Sequence, residues 1–203
     1  MKSLKYIFTF VMISLSTAVF AQDNIISFNY QIGTPLGHTR SFIDNSAYNG
    51  FGIEYRHFLN DKVSIGLDMS WTNFYEDVPG YSYYNIKGDN GQDITIGGKE
   101  FRYGEMRPLM LTSHYYLGES GGIRPFVGLG LGINYVELSQ DVGSVTFYDN
   151  KWLFAMRPEI GVFVPLSPNV GILTAAKYNY SVGAGSMDAQ SFMSFNFGFA
   201  FTL

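Results

Sequence analysis

Charged side chains recur at alternate positions in several segments of the chain, and their chemistry is the first feature to explain. Four acids and four bases stand out: Glu54, Arg56, Asp68, Glu105, Arg107, Arg157, Glu159 and Lys177. We predict that all eight point into a narrow interior, because charges persist in a low-dielectric environment when they are paired. The preferred interpretation is a structural network of ion pairs that links strands, and the alternative is a gated ion pathway.

Other motifs in the sequence do not predict an active site. Gly128-Leu-Gly130-Leu-Gly132 has Ile133 where a dinucleotide-binding loop needs its third glycine, so a strand with small inward residues explains it better. Ser113 and His114 are adjacent and would point to opposite faces of a strand, so they cannot act as nucleophile and base. Asp89-Asn-Gly-Gln-Asp93 lacks the alternating ligands of a calcium loop. We therefore predict no catalytic, cofactor-binding or metal-binding residues, and no enzyme activity.

The elements that carry these charges are best defined by the end of the chain. Large apolar residues occupy every second position there, namely Phe195, Phe197, Phe199, Phe201 and Leu203, and small or polar residues lie between them. Successive side chains of a strand point to opposite faces, so this pattern predicts one apolar face and one polar face. A membrane barrel needs such strands because its outside contacts lipid and its inside is polar.

The same two-residue period predicts eight strands. They are residues 25–37, 49–58, 63–74, 101–117, 124–138, 152–164, 170–180 and the terminal strand. The fourth is irregular, because placing Glu105 and Arg107 inside would turn Thr112 and His114 toward lipid. A bulge near Pro108 that exchanges the two faces is one solution.

The predicted connections alternate in length. Residues 59–62, 118–123 and 165–169 form three tight turns, whereas 38–48, 75–100, 139–151 and 181–190 form four longer loops. This alternation is typical of outer-membrane barrels. The loop 76–100 contains Tyr81, Tyr83 and Tyr84 and is a candidate site for an extracellular ligand, since loops on rigid scaffolds carry function. An extension of an aromatic girdle is the alternative.

The N-terminus predicts export. Lys2 and Lys5 precede an uncharged, mostly apolar segment, and Val19-Phe20-Ala21 places small residues at the positions that a signal peptidase reads. We predict a signal peptide over residues 1–21, cleavage between Ala21 and Gln22, and one domain over residues 22–203. An uncleaved anchor is the alternative.

Composition narrows the function classes. The predicted mature chain has eleven bases and seventeen acids, a net charge of −6, which argues against a nucleic-acid partner. There is no Cys, and aromatic residues make up 17% of the sequence, which is too many for a disordered chain. The mature sequence lacks an apolar run long enough for a spanning helix, so membrane insertion would require a closed barrel. A soluble sandwich or lipocalin-like barrel is the alternative, in which the apolar face would point inward.

The whole mature chain resembles the small eight-stranded outer-membrane β-barrel family, which includes the barrels of outer-membrane proteins A, X and W. Three features carry the resemblance: the signal ending Val19-Phe20-Ala21-Gln22, the strand Pro125-Phe-Val-Gly-Leu-Gly-Leu-Gly132, and the terminal Phe-alternating strand. Leu203 departs from the more usual terminal Phe.

The resemblance implies an all-β, antiparallel, up-and-down transmembrane barrel in the outer membrane of a Gram-negative cell. It also implies that Phe195, Phe197, Phe199, Phe201 and Leu203 form the signal that the barrel assembly machinery reads. We expect a monomer in contact with outer-membrane lipid, with a structural or surface-interaction role through its extracellular loops. A narrow channel for small hydrophobic molecules, as in the protein-W type, is the alternative, and Phe74, Leu153 and Leu173 in the lumen would favour it. A lipid A-modifying enzyme is a third, less favoured reading.

Overall fold

The computed structural model describes residues 24–87 and 91–203. Its elements are β1 (Asn24–Leu36), a short helix α1 (Gly37–Phe42), β2 (Ala47–Asn60), β3 (Val63–Lys87), β4 (Asp93–Tyr116), β5 (Arg124–Val142), β6 (Val145–Ser167), β7 (Val170–Ser181) and β8 (Gln190–Thr202). The predicted signal peptide and its cleavage site between Ala21 and Gln22 lie outside the described residues. Among the described residues, no helix has the length and the apolar character that crossing a membrane requires.

The eight strands form one closed antiparallel barrel in which each strand pairs with its neighbour in sequence. β8 returns to β1 in an unbroken register, from Ile25 opposite Thr202 to Leu36 opposite Ser191. Closure matters because an open sheet edge would leave backbone N–H and C=O groups without partners. The predicted fold class, and the predicted pairing of the last strand with the first, are confirmed.

The barrel wall has an apolar outside and a polar inside. On β8 the phenylalanines at 195, 197 and 199 are each more than half exposed, whereas Ser194 and Asn196 are buried. The glycine-rich strand β5 alternates in the same way, with Leu129, Leu131 and Ile133 outside. The predicted alternation is therefore confirmed in these strands, and it gives the barrel an outer band suited to lipid.

An aromatic girdle bounds this band at the end of the barrel that carries the long hairpins. On the side of β2 to β6 it comprises Phe51, Trp71, Tyr135 and Trp152. Neighbouring members touch across strands, with ring centroids 5.9 Å apart for Phe51 and Trp71 and 5.1 Å apart for Tyr135 and Trp152. Aromatic rings favour the level of lipid head groups, so the girdle marks where the apolar band ends.

Strand β4 corrects two predictions. Its pairing with β5 keeps one register from Glu100 to Tyr116, so no bulge near Pro108 exchanges the faces. His114 is buried inside the barrel, and Glu105 and Arg107 lie on the outer face. The inward placement predicted for these two charges is wrong because they sit at the girdle, above the apolar band, where polar groups can remain hydrated.

Two of the predicted long loops are mainly strand. β3 and β4 continue as a paired hairpin up to Lys87 opposite Asp93, with a register shift between Val78 and Ser82. β5 and β6 form a second hairpin that closes at Gly143 and Ser144, where Gly143 has a φ of +60° that favours glycine. Strands β3 to β6 thus rise beyond the girdle as a four-stranded sheet, which we call the extension.

The outward apolar face predicts a depth-dependent response to charge. Leu131 lies two rows below the girdle in the outward face of β5, so Leu131→Arg should destabilise the barrel in a bilayer by about 2–4 kcal/mol. Urea unfolding in lipid vesicles measures the change. Ser139→Arg, on the same face of the same strand but above the girdle, should cost under about 1 kcal/mol. Equal losses for the two variants would contradict a bilayer boundary between these positions.

Candidate functional site

A layer of buried charges crosses the middle of the barrel. It brings together six of the eight predicted residues, which lie on β2, β3, β6 and β7: Glu54, Arg56, Asp68, Arg157, Glu159 and Lys177. The side chains of all six are at most 3% exposed. We call this group the charge layer; its three acids and three bases balance.

Lys177 is the centre of the layer. Its Nζ lies 2.7 Å from Asp68 Oδ2 and 3.1 Å from Glu54 Oε2. It is also 3.5 Å from Glu159 Oε2, so one ammonium group contacts the carboxylates of three different strands. These contacts connect opposite sides of the wall, because β7 reaches β2 and β3 only across the lumen.

Two arginines complete the layer. Arg56 donates from Nε to Glu54 Oε1 at 2.8 Å, and its Nη1 donates to the hydroxyl of Tyr116 at 2.7 Å. Its guanidinium also lies 4.3 Å from the ring centroid of Phe126. Arg157 places Nη2 2.8 Å from Asp68 Oδ1. Every carboxylate of the layer therefore has at least one cationic partner, which is the condition for keeping charge in a dry interior.

Sequence reasoning missed His114 as a member of this site. Its Nε2 lies 2.8 Å from Glu159 Oε1 and 3.3 Å from Glu54 Oε1, and its Nδ1 lies 3.2 Å from Ser64 Oγ. Leu109, Leu111 and Tyr115 at alternate positions are the sequence signal for it, because they predict that His114 lies on the opposite, inner face. This pattern conflicts with the prediction that Glu105 and Arg107 point inward, since those two residues share the face of Leu109 and Leu111.

Ser64, His114 and Glu159 form a chain of contacts like that of a nucleophile, a base and an acid. The setting does not suit catalysis. Ser64 is fully buried, and Arg56 and Arg157 both lie within 4 Å of the Glu159 carboxylate. A substrate could reach the hydroxyl only if the barrel interior were rebuilt.

The same histidine raises the question of a metal ion. One ligand atom each from Glu54, His114 and Glu159 lies within 4.8 Å of the others. Arg56, Arg157 and Lys177 already contact these carboxylates, and a divalent ion would have to displace them against like-charge repulsion. The donor set therefore does not fit a resident metal.

Apolar residues seal the lumen below the charge layer, toward the short turns. They form one packed cluster: Ile25, Phe58, Tyr116, Phe126, Phe163, Leu173, Ala175 and Ala200. Rings pack closely here, with 5.0 Å between the centroids of Phe58 and Tyr116. Arg124 covers this cluster, 4.5 Å above the ring of Tyr116.

A second apolar cluster fills the mouth above the charge layer. It contains Ile43, Ala47, Phe74, Met106, Val136, Leu153, Met187 and Phe192. Phe74 and Leu153 point inward here, as Leu173 does in the lower cluster, but they fill the lumen instead of lining a cavity. The three residues thus point inward, as the channel alternative predicts. They lie within packed layers, however, and do not line an open path.

Helix α1 is held in the mouth by polar contacts. Thr39 is 1% exposed; its Oγ1 donates to Gln190 Oε1 at 2.8 Å and accepts from the Ser191 backbone N–H at 2.9 Å. Arg102, on the inner face of the extension, donates to the Phe42 carbonyl at 2.9 Å. These contacts tie α1 to both β4 and β8, so we call it the plug helix.

Glu100 joins the extension into one unit. It accepts hydrogen bonds from Arg102 at 2.6 Å, from Gln140 at 2.7 Å and from the Tyr84 hydroxyl at 3.0 Å. Burial raises the pKa of this carboxyl, but hydrogen bonds from Ser82, Arg102 and Tyr84 outweigh that effect and hold the pKa below its usual range. β3, β4 and β5 are thereby linked above the girdle.

The remaining predicted residues lie outside the lumen. Glu105 and Arg107 form an ion pair with each other, and the Arg107 guanidinium lies 4.6 Å from the ring centroid of Trp71. The residues predicted as an assembly signal, Phe195, Phe197, Phe199, Phe201 and Leu203, are exposed at the outer face or at the end of β8. Recognition of these residues by an assembly machinery stays a prediction.

Comparison with known proteins shows which solved structures share this fold. No known family profile and no curated protein matches the sequence. A crystal structure of Ail, the attachment invasion locus protein of Yersinia pestis, is similar over 91% of this chain and 100% of its own, with 10% identity and a TM-score of 0.56. The N-terminal barrel domain of Pseudomonas aeruginosa OprF is similar over 90% and 100%, with 15% identity and a TM-score of 0.50. This chain has the eight-stranded transmembrane β-barrel fold of these outer-membrane proteins.

The charge layer predicts a large penalty for removing its central cation. Lys177→Met should destabilise the barrel by about 3–5 kcal/mol, because three buried carboxylates would then face only two arginines and one negative charge would be left uncompensated. Lys99→Met is the matched control: Lys99 lies 2.7 Å from Asp77 in a half-exposed pair, and its loss should change the free energy of unfolding far less than the loss of Lys177. Urea unfolding in vesicles measures both variants. A stable Lys177→Met barrel would show that the ion pairs are dispensable.

Proposed function

We propose that this protein is a non-enzymatic outer-membrane barrel that interacts with its surroundings through its extracellular hairpins. In this proposal the signal peptide 1–21 is removed before Gln22, and the mature chain 22–203 reaches the outer membrane. The assembly machinery reads the terminal strand there, and the barrel works as a monomer. The extension then projects from the cell, and the short turns face the periplasm.

The filled lumen carries this proposal over the channel alternative. Two apolar clusters enclose a balanced charge layer, and the plug helix occupies the mouth. An eight-stranded barrel is just wide enough for side chains to fill it, and here they do so at every level described above. A solute path would require several of these layers to move together.

The exposed hairpins support a role at the surface. β3 and β4 continue well beyond the girdle, and Tyr81 and Tyr83 near the tip are 75% and 72% exposed. Large exposed aromatic groups on a rigid scaffold favour a binding surface over a passive connection. The loop 76–100 predicted as a ligand site corresponds to most of this hairpin.

Charge narrows the class of ligand. Residues 75–107 and 137–151 together contain nine acids and five bases. The Ail crystal structure holds a heparin analogue, sucrose octasulfate. The acidic hairpins of this chain would repel a densely sulfated ligand of that kind, so the charge of the hairpins favours an uncharged or basic ligand instead.

The surface role predicts that removing the hairpin tip abolishes adhesion while the barrel remains folded. Residues 79–98 would be replaced by Asn-Gly, which leaves a three-residue connection between the paired residues Val78 and Glu100. Attachment of expressing cells to other cells and to matrix-coated surfaces is then compared with that of the wild type. We expect attachment to fall to the level of cells that lack the protein.

Two controls make this result interpretable. Heat-modified migration on gels reports whether the shortened barrel still assembles. Tyr81→Ser with Tyr83→Ser removes the exposed rings at full length, and it should reproduce most of the loss if the rings make the contact. If the shortened barrel assembles and the cells still attach as well as the wild type, the hairpin tip has no role in adhesion.

The filled lumen predicts that the barrel does not conduct. Purified protein in planar bilayers should give no steady single-channel current, because ions would have to cross two apolar layers and a set of closed ion pairs. A larger porin in the same bilayers serves as the positive control. Large, stable conductance steps would overturn the structural reading of the charge layer.

A further inference from the structure

The outer face of the extension has a regular composition above the girdle. Counting away from the membrane, the first row across β3 to β6 is Asn73, Glu105, Glu137 and Asn150. The second row is Tyr75, Tyr103, Ser139 and Tyr148, and the third is Asp77, Phe101, Asp141 and Thr146. A row with three tyrosines therefore lies between two rows that each carry two carboxylates, and the third row adds the ring of Phe101. We call this sheet face the outer face.

The rings of this face form an exposed platform. Tyr75, Tyr103 and Tyr148 are 47%, 38% and 55% exposed. Tyr75 stacks with Phe101 at 15° between ring planes and 6.4 Å between centroids, and it lies 5.3 Å from Tyr103. Rings that support one another in this way are held in place before any ligand arrives, which lowers the entropy cost of binding.

Membrane anchoring does not explain these rings. Tyr75 is four residues beyond Trp71 along β3, which is about 13 Å of strand. The carboxylates of Glu105 and Glu137 lie between the two aromatic levels, and ionised groups do not continue a lipid-contacting belt. The platform therefore stands outside the girdle and is available to another partner.

The chemistry of the outer face selects a saccharide. The C–H face of a sugar ring is apolar and packs on aromatic rings, whereas its hydroxyl groups donate to carboxylates, which only accept hydrogen bonds. The four acids Asp77, Glu105, Glu137 and Asp141 face two bases, Lys99 and Arg107, and each base is already paired with one of these acids or lies on a ring. This surplus of acceptors disfavours a polyanion and suits an uncharged sugar.

The orientation of the outer face indicates which molecules could present that sugar to it. The face looks sideways from the barrel wall, directly above the girdle, so its neighbours are molecules anchored in the same leaflet. We propose that the outer face binds the uncharged saccharide part of an outer-leaflet glycolipid, with Tyr75, Tyr103 and Tyr148 stacking on sugar rings. This inference rests on the proposed outer-membrane location.

The test compares glycolipids with and without their saccharide. The mature protein in phosphatidylcholine nanodiscs receives a neutral oligoglycosyl diacylglycerol, either intact or stripped of its sugars, and native mass spectrometry counts the retained molecules. We expect the wild type to retain the intact form about tenfold more than the stripped form. Tyr75→Ala with Tyr103→Ala should lose that preference, because two stacking contacts disappear.

A matched control and a third probe complete the experiment. Tyr178→Ala makes the same chemical change on β7, next to Lys177, which pairs with Glu159 of β6 seven residues beyond Trp152 toward the short turns. Tyr178 therefore lies outside the outer face, and its variant should keep the preference. The released oligosaccharide, added free, should bind at least tenfold more weakly than the anchored form. Equal retention of intact and stripped glycolipid, an unaffected double variant, or equally tight binding of the free oligosaccharide would each overturn the inference.

The two proposals can fail separately. Replacement of residues 79–98 leaves Tyr75, Phe101, Tyr103 and Tyr148 in place, so a barrel that has lost adhesion should still prefer the intact glycolipid. Conversely, the double tyrosine variant keeps the hairpin tip and should still support attachment. Loss of both properties in either variant would show that the tip and the outer face form one site, and it would overturn the separate glycolipid site.

Discussion

Closure of the sheet between β1 and β8 is the constraint on which the rest of this structure depends. Its register runs without interruption from Ile25 to Leu36, so neither strand leaves an unpaired edge along the wall. In lipid, where no water can complete a backbone hydrogen bond, this pairing makes every other feature possible. Once the wall is closed, each strand must place one face outward and one inward, and the division of apolar and polar residues follows.

The inside of a closed eight-stranded wall is too narrow to stay empty, and this chain fills it in layers of different chemistry. Apolar residues around Phe58 and Phe163 close one end, and those around Phe74 and Phe192 close the other. Between them, Lys177 connects three carboxylates from other strands. Buried charges are stable only when every one of them is paired. The apolar layers exclude water from the charges, and the ion pairs in turn make that exclusion tolerable.

The alternation of residues along strands could be read from the sequence because it follows from the geometry of a single strand. Phe197 outside and Asn196 inside needed no knowledge of the neighbouring strands. Lys177, Asp68 and Glu54 could be assigned to the interior in the same way, but their mutual contacts could not, because these depend on how far each strand is shifted against the next.

The errors share one cause, which is that sequence patterns do not report depth. The sequence predicts Glu105 and Arg107 inside because charges avoid lipid, yet these two lie at the girdle, beyond the apolar band. For residues 75–100 the sequence predicts a loop, the second of the four long connections. Their pairing with β4 and the hydrogen bonds of Glu100 hold them as strand instead. The plug helix was missed because six residues carry too little periodic signal.

The strands extend to unequal heights above the girdle, so the two sides of the barrel differ. Strands β3 to β6 continue past the girdle, whereas β1, β2, β7 and β8 end near the mouth, so the wall is high on one side and low on the other. The plug helix and the 182–189 segment lie at the low side, joined through His38 and Asp188. A molecule that approaches the plug must therefore come over the low wall, and one that approaches along the membrane from the opposite side meets only the extension. The two sides of the barrel therefore present different surfaces to neighbouring molecules.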